Sequence, residues 1–170
     1  MIASLCAAFA IAQLTDRTVR FDPLVLDGPP GVGKSLFAAR LAALLNVPLK
    51  RIDMVAQQSG SGITGSDDFW SNSKTGAVFE LLIEGDVANA IIFVDEIEKA
   101  GGDPRYDPQA ELYSLLEPET AKTFRDQSVP SIELDASRLL WICTSNDISR
   151  APEKCTTAGL RYSCESDLKA

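Results

Sequence analysis

Gly28, Gly33, Lys34 and Ser35 stand at the spacing G-x-x-x-x-G-K-S, in a stretch that reads GPPGVGKS over residues 28–35. Glycines let a loop turn tightly and bring successive backbone N–H groups around one anion, and a helix starting behind them adds positive potential. A lysine closing such a loop is a point charge for the outer phosphates of a polyphosphate. The hydroxyl beside it is an oxygen ligand for Mg²⁺. Two further sets of residues carry matching chemistry. Asp95-Glu96 follows the apolar run Ile91-Ile92-Phe93-Val94, and Asn146 follows Leu139-Leu140-Trp141-Ile142-Cys143 by way of Thr144-Ser145. A carboxylate at the end of a buried strand can hold Mg²⁺ directly or through water, and an acid one residue on can polarise an attacking water. An asparagine there can hydrogen-bond that water or a terminal phosphate. Taken singly the last two features are common, since strands often run into solvated acids and an Asn after a strand often makes a turn or a helix cap.

These groups can meet only if the chain between them builds a sheet with its strand ends on one edge. The pattern predicts this. Pro23 opens a strand over Leu24-Val25-Leu26, at a position where a missing N–H is tolerable. A helix follows the loop, with Leu36, Phe37, Leu41, Leu44 and Leu45 on one side, and Asn46 and Pro48 stop it. Residues 49–54 read as a short strand, 59–66 (SGSGITGS) as a Gly/Ser-rich loop, and 67–75 as polar apart from Phe69-Trp70. A helix begins at Gly76, carrying Val78, Leu81 and Leu82. Residues 91–94 are continuously apolar, as in a parallel strand covered on both faces. Residues 101–108 form a loop, 109–116 a helix ended at Pro118, and 139–143 the last buried strand, after a polar stretch with one alternating piece, Ile132-Glu133-Leu134. Strands alternating with helices predict a parallel α/β sheet, with ligands in the crevice outside the carboxyl ends of the strands.

Length and composition agree with one domain. The chain has 170 residues, 45% hydrophobic and 24% charged, enough for a sizeable core. Its net charge of −8, with no basic block, argues against a sequence-independent grip on nucleic acid or on an anionic membrane. There is no histidine, and Cys6, Cys143, Cys155 and Cys164 form no C-x-x-C pair, so thiols in a reducing cytoplasm are the expectation and not a cysteine-histidine metal cluster. The apolar start lacks the basic segment of a secretory signal, and Ile2, Leu5, Cys6 and Phe9 fall at helical spacing instead. No apolar run reaches membrane-spanning length.

As a set, GPPGVGKS, IIFVDEIEKA and WICTSND resemble the Walker A, Walker B and sensor 1 segments of AAA+ ATPases. The words between them, GDPRYDPQAELYSLLEPETAKTF and SIELDASRLLWICTSND, resemble the ATPase module of Lon-type proteases and their stand-alone relatives. The resemblance covers residues 21–152. It implies a P-loop NTPase three-layer α/β/α fold, with a parallel sheet in spatial order 5-1-4-3-2, ATP and Mg²⁺ as ligands, homo-oligomeric rings, and ATP-driven pulling of polypeptide. By position it makes Gly28, Pro29, Pro30, Gly31, Val32, Gly33, Lys34, Ser35 and Leu36 the nucleotide-binding residues, and Ser35 and Asp95 the metal ligands. Lys34, Glu96 and Asn146 become the catalytic set, with Glu96 as hydrolytic base and Asn146 as sensor 1. Phe69 and Trp70 fall on the substrate-gripping pore loop; the alternative is that Trp70 packs beneath its own loop.

The family pattern stops after residues 151–153. The expected organisation is therefore an N-terminal helix and connection over 1–22, a nucleotide-binding core over 23–150, and a divergent, disordered tail over 151–170. A fifth strand, a helical lid and the arginine-finger segment are expected to be missing, Arg161 not sitting in the right words, as in a truncated or frame-broken copy. Nothing after Asn146 supplies a peptidase nucleophile pair. The reading is an ATPase core of weak activity on its own, in the cytoplasm. One alternative is a non-hydrolysing nucleotide-binding fragment acting through a full-length partner; another is a small-molecule kinase, which would place basic residues over the transferred phosphoryl group.

Overall fold

Three apolar runs and two mixed ones become five parallel strands, and the order in which they lie side by side decides what meets at their ends. The computed structural model describes residues 18–55, 60–66, 73–99, 108–150 and 160–163, together with helical positions 6–8, 10 and 12 near the start. Strands β1 (Leu24–Asp27), β2 (Leu49–Asp53), β3 (Ile91–Asp95), β4 (Leu140–Ser145) and β5 (Leu160–Ser163) form one sheet in the order β2-β3-β4-β1-β5. All pairings are parallel, with Leu24 opposite Ile142, Ile91 opposite Leu140 and Leu49 opposite Ile91. The order is the one the resemblance implies. Because β4 lies between β3 and β1, the Asp95, Ser145 and Asp27 ends open on one edge.

Alternation along each strand divides the core in two. Leu24, Leu26, Ile91, Phe93, Leu140 and Ile142 pack against Ala38, Leu41 and Ala42 of helix α1 (Lys34–Leu45). Val25, Ile52, Ile92, Val94, Trp141 and Cys143 pack on the other face. There they meet the short helix α2 (Ser61–Thr64), α3 (Ala77–Glu84), α4 (Pro108–Leu116) and α5 (Pro118–Ala121), through Ile63, Val78, Leu112, Leu115 and Ala121. This is a three-layer sandwich, each layer burying the apolar face of the next. Helix α1 ends as expected at Asn46, whose left-handed conformation (φ 53°) lets its N–H reach the carbonyl of Ala43.

Three expectations are corrected. The fifth strand is present: residues 160–163 pair with β1, Leu24 opposite Leu160 and Asp27 opposite Ser163, so β1 is not a sheet edge and the stretch 151–170 is not wholly a tail. Leu160-Arg161-Tyr162-Ser163 has too little apolar run to announce itself, and the unpaired N–H and C=O row of β1 supplies the template. The rest of 151–170 lies outside the described residues, as do Phe69 and Trp70. Within the Gly/Ser-rich stretch, fully buried Ile63 anchors a helical turn at α2. On α1, Leu36 and Leu44 are 61% and 71% exposed, because the buried stripe runs through the smaller Ala38 and Ala42. Among the described residues no helix is long and apolar enough to cross a membrane.

Candidate nucleotide site

The loop between β1 and α1 is fixed at both ends. Its first residue, Gly28, donates its N–H to the Ser145 carbonyl at 3.2 Å, and the Gly33 carbonyl takes the Phe37 N–H at 2.9 Å as the first helical bond of α1. Gly33 itself holds φ 95°, a left-handed conformation that costs a residue with a Cβ about 1–2 kcal/mol. The N-terminus of α1 thus points into a cleft of about 290 Å³ lined by Pro30, Gly31, Gly33, Lys34, Ser35, Leu36, Asp95, Glu96 and Asn146. Of the sequence-predicted loop residues, Gly28 and Pro29 stand behind this lining, their carbonyls accepting from Lys34 Nζ; Val32 is half-buried and does not line it.

Lys34 Nζ also donates to Asn146 Oδ1 at 2.9 Å, and Asn146 Nδ2 donates to Glu96 Oε1 at 3.0 Å. One amide therefore joins the loop lysine to the acid at the end of β3. Residues 112 positions apart in the chain meet because β4 lies between β1 and β3. Glu96 is one of two non-glycine residues described with positive φ (55°). That strain turns the chain sharply after β3 and sends Asp95 and Glu96 into the same cleft. The second Glu96 oxygen pairs with Lys99 at 2.9 Å, which raises the Lys99 pKa above its ordinary value.

Four residues that the sequence reading passed over hold these groups in place. Thr144, 1% exposed, donates its hydroxyl to Asp95 Oδ1 while accepting the Glu96 N–H at 3.1 Å, so one side chain fixes both acids. Arg51 of β2 pairs with the other Asp95 oxygen, Oδ2. Glu98 accepts the Asn146 N–H at 3.1 Å through Oε1, and its Oε2 is buried with no hydrogen-bond partner among the described residues. Lys99 is the fourth. Only Arg51 left a signal: a cation two residues from the end of a strand, beside a strand ending in an acid, can reach along the sheet.

The donor set suits a small hard cation held partly by phosphate. The Ser35 hydroxyl and the Asp95 carboxylate line the same cleft, and no group of three or more His, Cys, Asp or Glu among the described residues could cage a metal alone. Mg²⁺ typically takes one or two protein oxygens and completes its shell with water and substrate phosphates. The residues present fit that requirement.

The family "ATPase family associated with various cellular activities" matches residues 24–164, from β1 past β5. The Lon protease of Campylobacter concisus is 34% identical over 129 residues, covering 76% of this chain and 16% of its own length. A peroxisomal Lon protease homolog 2 of Oryza sativa is 34% identical over 125 residues, covering 74% of this chain and 14% of its own. The chain thus spans about a sixth of the length of the curated relatives it matches. Among solved structures, a RuvB variant of Thermotoga maritima superposes with TM-score 0.62 at 14% identity, covering 96% of this chain and 44% of that one. The Thermotoga maritima RuvB Holliday junction branch migration motor gives 0.60 at 15% identity, covering 96% and 43%. The fold agrees with these matches: the chain belongs to the AAA family of ATPases, with an ATP-binding core similar to that of Lon proteases.

Proposed function

We propose that this chain binds ATP with Mg²⁺ across the carboxyl ends of β1, β3 and β4 and hydrolyses the terminal phosphate. The observation that carries the reading is the Asn146 bridge between Lys34 and Glu96, which brings a phosphate-binding cation and a candidate base to one cleft. The loop amides and the α1 N-terminus take the phosphates, while Lys34 gives up the Gly28 and Pro29 carbonyls for the β- and γ-oxygens. Ser35 and Asp95 would hold the metal, which when bound spreads the charge of the leaving phosphate. Glu96 accepts a proton from water as its oxygen attacks the γ-phosphorus; the bond to the β–γ bridging oxygen breaks, and ADP and phosphate leave. Asn146 orients Glu96 and the terminal phosphate.

Among the described residues the cleft lining carries a single cation, Lys34. An arginine contributed by a neighbouring subunit is worth about 10³–10⁵ in rate in related phosphate-loop enzymes, so the chain by itself turns over slowly. Ring assembly and remodelling of polypeptide gripped through Phe69 and Trp70 complete the reading by likeness to the family, and the cysteine spacing, without a C-x-x-C pair, supports a cytoplasmic setting. A second reading, nucleotide binding without hydrolysis, is favoured by Glu96 having both carboxylate oxygens engaged, with Asn146 and Lys99.

Phosphate release and binding of a fluorescent ATP analogue, measured on the chain and on Glu96→Gln, separate the readings. The proposal expects slow release that falls by about 10²-fold or more in Glu96→Gln, with ATP still bound. Binding without Glu96-dependent release establishes the second reading instead. No binding by the wild type refutes both.

A further inference from the structure

Arg51 sits where it competes with a metal. Its guanidinium donates to Asp95 Oδ2, the carboxylate oxygen left over once Thr144 has taken Oδ1. It lies 5.9 Å from the centroid of the Phe93 ring, the residue opposite it in the sheet, so the stem is guided up the strand toward Asp95. The two partners differ in exposure: the Arg51 side chain is 57% exposed and that of Asp95 15%. An exposed arginine can swing into water at small cost, whereas a mostly buried carboxylate left without a counter-charge is costly. A dication and this guanidinium want the same oxygen and repel each other.

We propose that Arg51 is a positioning residue, the counter-ion that Asp95 exchanges for the divalent cation. It holds the carboxylate aimed into the cleft when no metal is present, and it lowers the affinity for the metal when nucleotide is. The inference rests on the ATP reading of the cleft and assigns that site a built-in weakness for its metal. The chemistry calls for no particular anion, only a hard divalent ion at Asp95.

Mn²⁺ titration of the ATP-loaded chain, with free Mn²⁺ followed by electron paramagnetic resonance, tests it alongside ATP binding measured in chelator. Arg51→Met should bind Mn²⁺ about three- to tenfold more tightly, with metal-free ATP affinity within about twofold of wild type. Arg51→Lys, which keeps the charge, should stay within about twofold of wild type for Mn²⁺. Arg51→Gln provides the same comparison should the methionine variant lose its fold by far-ultraviolet circular dichroism. Unchanged or weaker Mn²⁺ binding in a folded charge-removing variant overturns this inference alone. Failure of the wild type to bind ATP, with or without metal, overturns the ATP reading and this inference with it.

Discussion

Two glycines with positive φ differ in ψ and in what surrounds them, which allows a stability effect to be worked out term by term. Gly33 has φ 95° and ψ 16°, the left-handed helical region, whereas Gly65 has φ 84° and ψ 167°, an extended region that residues with a Cβ essentially never adopt. A Cβ on Gly33 would meet nothing within 4 Å, so alanine there costs the left-handed penalty alone, about 1–2 kcal/mol. A Cβ on Gly65 would lie 2.0 Å from Asp126 Oδ1 and 2.6 Å from its Cγ. Asp126 is fully buried and cannot step aside. Its carboxylate accepts the Gly76 N–H at the start of α3 at 2.8 Å and the Ser128 N–H at 3.0 Å, together with the Ser128 hydroxyl. Displacing it sacrifices at least one hydrogen bond to a charged group, about 1.5–3 kcal/mol. With about 1–3 kcal/mol for its own backbone region, the sum for Gly65→Ala is about 3–6 kcal/mol, against about 1–2 for Gly33→Ala. At about 2–4 °C per kcal/mol for a chain of this size, Gly65→Ala should melt about 6–24 °C below wild type and Gly33→Ala about 2–8 °C below. Thermal unfolding followed by circular dichroism reads both. A Gly65→Ala variant that melts within about 2 °C of Gly33→Ala would refute the claim that Asp126 is locked.

Two other perturbations have definite outcomes. Asp135 accepts from the Ser137 N–H at 2.9 Å, and hydrogen bonding to Ser137 holds its carboxyl below the ordinary aspartate value. A depressed native pKa contributes stability that is present above the unfolded value and lost as pH falls through the native one. Asp135→Asn should therefore melt below wild type at neutral pH, and the gap should close in the acid range beneath the ordinary aspartate pKa. Asn146→Ala removes both halves of the bridge, so turnover should fall about 10- to 100-fold while ATP binding changes about threefold or less, as read by phosphate release and analogue fluorescence.

The parts of the fold written in continuous apolar runs were legible. Residues 91–94 and 139–143 are covered on both faces, so their strand identity and depth follow from composition. The 28–35 loop is legible because the requirement for closely approaching amides leaves few residue types. β5 was not legible, because four residues of mixed polarity pair through backbone groups that carry no sequence signature. The positions of Lys34, Asp95, Glu96 and Asn146 around one cleft follow from the strand order, which the periodicity alone leaves open and the family resemblance supplies. Thr144 left no signal, and the signal of Arg51 needs the strand order to be read. A buried threonine and a strand arginine are ordinary residues, and only the register of β2, β3 and β4 shows that both converge on Asp95.

The central claim is that a polyphosphate lies against the 28–35 loop with Lys34 as its principal cation. Isothermal titration of ATP into wild type and Lys34→Ala, with circular dichroism to confirm the fold, tests it most directly. The account predicts that Lys34→Ala loses about tenfold or more in ATP affinity, the loss of at least one charge-assisted contact. Equal affinity in the two proteins would contradict it.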